Sequence, residues 1–126
     1  MKLIIAGGRD YFFDEMDLHD LDRLLEDYDI TEVVSGKATG ADTEGEKWAK
    51  VNNIDVEPFP ADWDKYGKLI AGRIRNGVMA RYADALAIFS GGSGSVDMLK
   101  QAKKEGLTIF DFRFRNPTFE EIFGDD

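Results

Sequence analysis

The sequence predicts an α/β fold: a Rossmann-like three-layer sandwich around a five-stranded parallel sheet of order 3-2-1-4-5. Three observations predict it. Short apolar runs alternate with amphipathic stretches along the chain, the pattern of parallel strands joined by crossover helices. Three of those runs end in glycine, at Gly7-Gly8, Gly36 and Gly91-Gly92, where a strand hands over to a helix. The 126 residues are 43% hydrophobic and 33% charged with three prolines, enough to bury roughly two-thirds of the unfolded surface in one core. With no internal repeat, low-complexity tract or linker, a single domain over residues 1–126 is expected.

Each element follows in order. Leu3–Ala6 is a continuous apolar run, read as a strand buried on both faces. Residues 14–28 place Leu18, Leu21, Leu25 and Tyr28 on one stripe beside Leu24, with an acidic opposite face, and predict an amphipathic helix. Glu32–Ser35 is the second strand. Thr39 and Asp42 have the spacing of a capping box at the head of a helix reaching about Lys50, and Ala41, Gly45 and Ala49 give it a small-residue face for close packing on the sheet. Asp55–Pro60 is the third strand. A helical region from Asp64 to Tyr82 is expected to bend near Ala71-Gly72. Ala85–Phe89 is the fourth strand, and a helix follows the Ser90–Ser95 loop to Lys104, with Gly106 as its stop. Leu107–Phe112 is the fifth strand. Thr118 and Glu121, again at capping-box spacing, open a short last helix through Phe123.

Composition excludes several chemistries. There is no cysteine, which removes thiolate zinc sites, iron–sulfur clusters and cysteine nucleophiles. A single histidine, His19, sits among acids and reads as exposed and not catalytic; no multi-histidine metal centre is possible. The net charge of −9 argues against sequence-independent binding of nucleic acid and against an anionic membrane surface. The longest apolar runs are far short of a membrane span, and no signal-peptide pattern opens the chain, so a cytoplasmic protein, of host or phage origin, is expected. The charge is unevenly spread: residues 1–63 carry six Lys/Arg against sixteen Asp/Glu, whereas Lys65–Arg81 holds five basic residues and no acidic one. A local basic patch on an acidic protein suits a small anionic ligand.

In a sheet of this order, ligands bind beyond the carboxyl ends of the strands, between strands one and four. The three glycine-rich loops meet there. Glycine allows close backbone approach, and each loop leads into a helix N-terminus, which favours phosphate. The loops are not the familiar fingerprints. There is no G-x-x-x-x-G-K-[ST], and Gly7-Gly8-Arg9 does not continue as G-x-G-x-x-G, so P-loop NTPases and standard NAD dehydrogenases are disfavoured.

Gly7-Gly8-Arg9-Asp10 and Ser35-Gly36-Lys37-Ala38-Thr39-Gly40-Ala41-Asp42 resemble the "GSRD" and "SGGARGAD" blocks of the YspA-like (cpYpsA-related) branch of the SLOG superfamily. Gly45-Glu46, Ala61-Asp62-Trp63 through Tyr66-Gly67, Ala71-Gly72, Arg75-Asn76, Met79 and Ala83-Asp84 extend the match, and Ser90–Ser95 looks like the family's "GxSxGT" segment. The resemblance covers residues 2 to about 112. It implies a Rossmann-like domain that binds nucleotides or nucleotide-derived ligands, as a sensor or as a hydrolase. The cytokinin-activating phosphoribohydrolases carry "PGGxGTxxE", whose glutamate assists N-glycosidic cleavage. Here that position is Met98, and a thioether is neither acid nor base.

The candidate ligand- and phosphate-binding residues are therefore Gly7, Gly8, Arg9, Ser35, Gly36, Gly40, Asp42, Arg75, Asn76, Gly91, Gly92, Ser93, Gly94 and Ser95. Arg9 could equally be a surface ion pair. Asp42 and Glu46, four apart, could hold a ribose hydroxyl, a water or Mg²⁺ accompanying a nucleotide; they are also the candidate acid–base groups, and helix capping is the competing account. Arg73 and Arg75, two apart, cannot share a helix face, and the resemblance favours Arg75. Trp63 and Tyr66 are base-stacking candidates, or packing around a bent helix. Phe110, Phe112, Phe114, Phe119 and Phe123 are core under the sheet or a homodimer contact. The function expected is binding of a nucleotide-type, phosphate-containing ligand at the sheet's C-terminal edge, with no resident metal. The alternatives are hydrolysis of such a ligand's glycosidic or phosphate bond, and an acidic protein-interaction module without ligand.

Overall fold

The computed structural model describes residues 1–114, apart from the side chains of residues 68 and 69; the expected helix at 117–123, with Phe119 and Phe123, lies outside them. In chain order the elements are β1 (Lys2–Ala6), α1 (Glu15–Asp27), β2 (Glu32–Ser35), α2 (Ala41–Val51), β3 (Asp55–Pro58), α3 (Trp63–Tyr66), α4 (Lys68–Tyr82), β4 (Ala85–Ile88), α5 (Ser93–Lys104) and β5 (Thr108–Asp111). All neighbouring strands pair in parallel, in the order β3-β2-β1-β4-β5. The Rossmann-like α/β fold is thus the one the apolar runs predict.

Central β1 and β4 alternate their side chains between two cores. Leu3, Ile5, Ala85 and Ala87 face Leu21 and Leu24 of α1 and Trp48 and Ala49 of α2. Ile4, Ala6, Leu86 and Ile88 face Met79 and Ala80 of α4 and Met98, Leu99 and Ala102 of α5. Strands buried on both faces need no polar alternation, which is why they read as continuous apolar runs. α2 approaches the sheet through Gly45, where a Cβ would sit 2.8 Å from the Ile5 side chain.

Four expectations are corrected. In α1 the buried line is Asp17, Leu21 and Leu24, while Leu18 and Tyr28 are exposed. Asp17 faces inward because its carboxylate accepts from the Asp14 amide (3.1 Å) and the Tyr11 hydroxyl (2.9 Å), completing a capping box with Asp14. The Thr39–Asp42 capping box does not form: Gly40 is the N-cap of α2 without a side-chain bond, and Asp42 reaches back to the Ala38 amide instead (3.2 Å). The break in the 64–82 region falls at Gly67, with φ of +77°, and not at Ala71-Gly72, which continue α4. β3 ends at Pro58 and β5 spans only Thr108–Asp111, both at sheet edges where fewer ladder bonds hold the ends.

Candidate functional site

The loops after β1, β2 and β4 converge on Gly8. Its amide donates to the Ser90 carbonyl (2.8 Å), and its carbonyl accepts from the amides of Ala41 (3.1 Å) and Tyr11 (3.2 Å). Such stitching requires backbones in direct contact. A Cβ on Gly7 would lie 2.8 Å from that of Ala41, and one on Gly91 would lie 2.6 Å from the Gly8 nitrogen. Gly40, with φ of +76°, lies against the backbone of Gly8 and Arg9. These glycines let loop meet loop. Gly92 and Gly94 differ: a Cβ there meets nothing within 4 Å, so their backbone stands open.

That open backbone borders a cavity of about 500 Å³ at the C-terminal edge of the sheet, between the β1 and β4 loops. Gly7, Gly8 and Arg9 form one wall, with Ala38 and Asp42 beside them. Gly72, Arg73, Arg75, Asn76 and Met79 of α4 form the second, and Gly92–Ser95, Asp97 and Met98 the third. Helix geometry leaves the amides of Ser93, Gly94 and Ser95 without intrahelical acceptors, and the first turn of α5 carries no acid to neutralise its dipole. Ser95 is 8% exposed, and its hydroxyl has no partner among the described residues.

A network holds this turn in place. The Arg75 guanidinium donates through Nη1 to the Gly36 carbonyl and through Nε to Asn76 Oδ1 (3.1 Å). Asn76 Nδ2 donates to the Gly94 carbonyl (3.3 Å) and to Asp97 Oδ2 (3.0 Å), which also accepts from Gln101 Nε2 (2.9 Å). The β2 loop, α4 and the head of α5 are thereby one hydrogen-bonded unit. Burial pushes the Asp42 carboxyl up to about 6; the Ala38 amide, then the Arg75 charge, pull the other way, and Glu46 adds to the rise. Burial also lowers the affinity of Arg75 for its proton, with Asp42 opposing.

The guanidinium groups of Arg9 and Arg73 line the cavity without a hydrogen bond or ion pair among the described residues, and the Arg9 charge acts on nearby Asp42. The Arg9 guanidinium sits 6.0 Å from the Trp63 ring centroid, and Trp63, itself lining the cavity, covers Gly72.

The cavity thus brings together eleven of the expected residues: Gly7, Gly8, Arg9, Asp42, Trp63, Arg75, Asn76, Gly92, Ser93, Gly94 and Ser95. Ser35, Gly36, Gly40 and Gly91 stand behind its walls. Glu46 turns away to Ser35 Oγ (2.6 Å) and Lys37 Nζ (2.8 Å), and Tyr66 lies outside under Lys65. Among the described residues no group of three Asp, Glu, His or Cys is placed to hold a metal ion, and Glu46 is turned from Asp42 toward Ser35 and Lys37. His19 is exposed. Phe110 and Phe112 pack against the core, and Phe114 is 81% exposed.

Arg73, set aside in favour of Arg75, and Asp97, not singled out in the sequence, also line the cavity. Arg73 reaches the cavity although Arg75 does too, because the long arginine stems let both heads reach a cavity wider than one helix face. The spacing 72, 75/76, 79 marks the cavity face of α4, and 93 with 97 that of α5.

The fold and this edge define a class: a Rossmann-like domain with a cleft, lined by arginines and a helix N-terminus, where the strand order reverses. The chain belongs to the YspA, cpYpsA-related SLOG family, whose sequence model matches residues 1–66. Membership points to nucleotide-related ligands in general. The X-ray structure of DNA processing protein A (DprA) from Streptococcus pneumoniae is similar in fold, with a TM-score of 0.69 at 15% identity over 98% of this chain. The chain spans about half of that protein's chain, 53%. No curated protein matches it. No helix among the described residues is long and apolar enough to cross a membrane.

Proposed function

We propose that the cavity binds a nucleotide-derived ligand through a phosphate seated on the first turn of α5. The observation that carries this reading is that turn itself: free amides of Ser93, Gly94 and Ser95, open backbone at Gly92 and Gly94, and a buried, unbonded Ser95 hydroxyl, all on one cavity wall. Arg9 and Arg73 supply charge at the opposite walls, and Trp63 offers a ring face to a base. Arg75 and Asn76 act as positioning residues through Arg75 Nη1 and Nε and Asn76 Nδ2, which are committed to Gly36, Asn76, Gly94 and Asp97. Calorimetric titration with AMP, ADP and ADP-ribose tests the reading. Binding is expected, and Ser95→Ala should weaken it about tenfold, the worth of one hydrogen bond to a charged group. No heat with any of the three at millimolar ligand contradicts it.

A second reading, hydrolysis of the bound ligand, is favoured by one observation: the Asp42 carboxyl borders the cavity with its proton affinity raised to the range of a general base. It replaces the acid–base group absent at Met98. Incubation with AMP followed by mass spectrometry separates the readings: turnover lost in Asp42→Asn with binding retained supports hydrolysis, and unchanged ligand leaves binding alone.

A further inference from the structure

The two helix layers carry opposite charge. α1 holds six Asp/Glu against one Arg, whereas α4 and α5 together hold seven Lys/Arg against one Asp. They lie on opposite faces of the sheet, since α1 packs on one core and α4 with α5 on the other. On the basic side Arg73 at the cavity edge, Arg81, Lys100, Lys103 and Lys104 are exposed; Asp97, the one acid within the two helices, is bonded to Asn76 and Gln101, and Glu105 caps the end of α5. The same side exposes aliphatic groups at four-residue spacing along α4: Ile70 (57%), Ile74 (41%) and Val78 (38%). An aliphatic stripe flanked by cations fits an acidic helical surface with some apolar area.

α4 contains no acidic residue, so pairing α4 with its own copy would oppose like charges. The complement lies on the chain's other face. There Glu15, Glu26 and Asp27 are exposed along α1, with Met16 and Leu18 exposed on that helix and Phe12 just before it. We infer that a second copy docks head to tail, its acidic α1 face on the basic α4–α5 face of the first. Such a contact uses two different surfaces, so each copy keeps one of each free and association continues beyond the dimer. Exposed charges carry the attraction, so salt weakens it.

Sedimentation velocity of the full chain over a concentration series tests this. At about 20 mM salt the weight-average mass should rise with concentration above that of the protomer, and at about 500 mM it should return to it. Glu26→Lys with Asp27→Lys cuts the acidic excess of α1 from six against one to four against three; Lys100→Glu with Lys103→Glu cuts the basic excess of α4 and α5 from seven against one to five against three. These positions are exposed, and circular dichroism checks the fold of each variant. Each variant alone should remain a protomer, and their mixture should associate. A protomer at every concentration in low salt overturns the inference. So does a mixture that fails to associate, or association that appears only when nucleic acid is added.

Discussion

Asp42 is buried as a carboxyl that ionises near 6, against an ordinary value of 3.8. A folded-state value above the unfolded one means that the fold favours the protonated form. The burial therefore costs nothing below about pH 3.8, and the cost grows as pH rises to 6 and is complete above it, at about 3 kcal/mol from 1.36 kcal/mol per unit. Asp42→Asn keeps the size without the charge. It should raise stability to denaturant by about 1–3 kcal/mol at pH 7.5, with the gain vanishing near pH 3.5. A loss at both pH values would mean that the carboxylate is a net stabiliser. The glycines divide the same way, by what surrounds them. Gly40→Ala, at positive φ and against the Gly8 carbonyl, should cost about 3 kcal/mol or more. Gly94→Ala adds a methyl to open space on a helix and should stabilise by about 0.5–1 kcal/mol while weakening ligand binding. Thermal melts and titrations of the pair check both halves.

α1 shows what an apolar pattern can and cannot reveal about an element. Its existence follows from leucines at helical spacing, but its rotation is set by Asp17, a residue the pattern assigns to water. The carboxylate turns inward because Tyr11 and the Asp14 amide need an acceptor there, and a hydrophobicity pattern has no term for a polar group satisfied by neighbours distant in the loop. Leu21→Ala should therefore cost about 2–5 kcal/mol and Leu18→Ala well under 1, although the two sit on the same predicted stripe. Asp17→Ala should cost about 2 kcal/mol by removing half of the capping box and the acceptor for Tyr11. Urea denaturation of the three variants tests the rotation of the helix. The bend expected at Ala71-Gly72 moved to Gly67 for a related reason. Position 72 continues α4, at ordinary contact distance from the Trp63 ring, and the chain turns at Gly67, where a positive φ is needed.

For the molecule as a whole, strand order was legible because short strands, apolar throughout at β4 and nearly so at β1, alternate with helices, and right-handed crossovers leave few arrangements. The site was legible as three glycine loops at one edge. Its working parts were not, because they depend on contacts between residues far apart in sequence: Arg75 with Gly36, Asn76 with Gly94, and Gly8 with both Ser90 and Ala41. Gly7, Gly40 and Gly91 serve that stitching, whereas Gly92 and Gly94, heading α5, present open backbone at the cavity. A ligand bound there to the folded state alone should stabilise the protein by about 2.7 kcal/mol at a concentration one hundred times its Kd. The most direct measurement is a titration of the isotope-labelled protein with AMP, followed by the backbone amide resonances. The account predicts that the largest shifts fall on Ser93, Gly94 and Ser95, with Gly8 and Arg9 next. Shifts confined to α1 or to the β3 edge, or no shift at millimolar AMP, would contradict it.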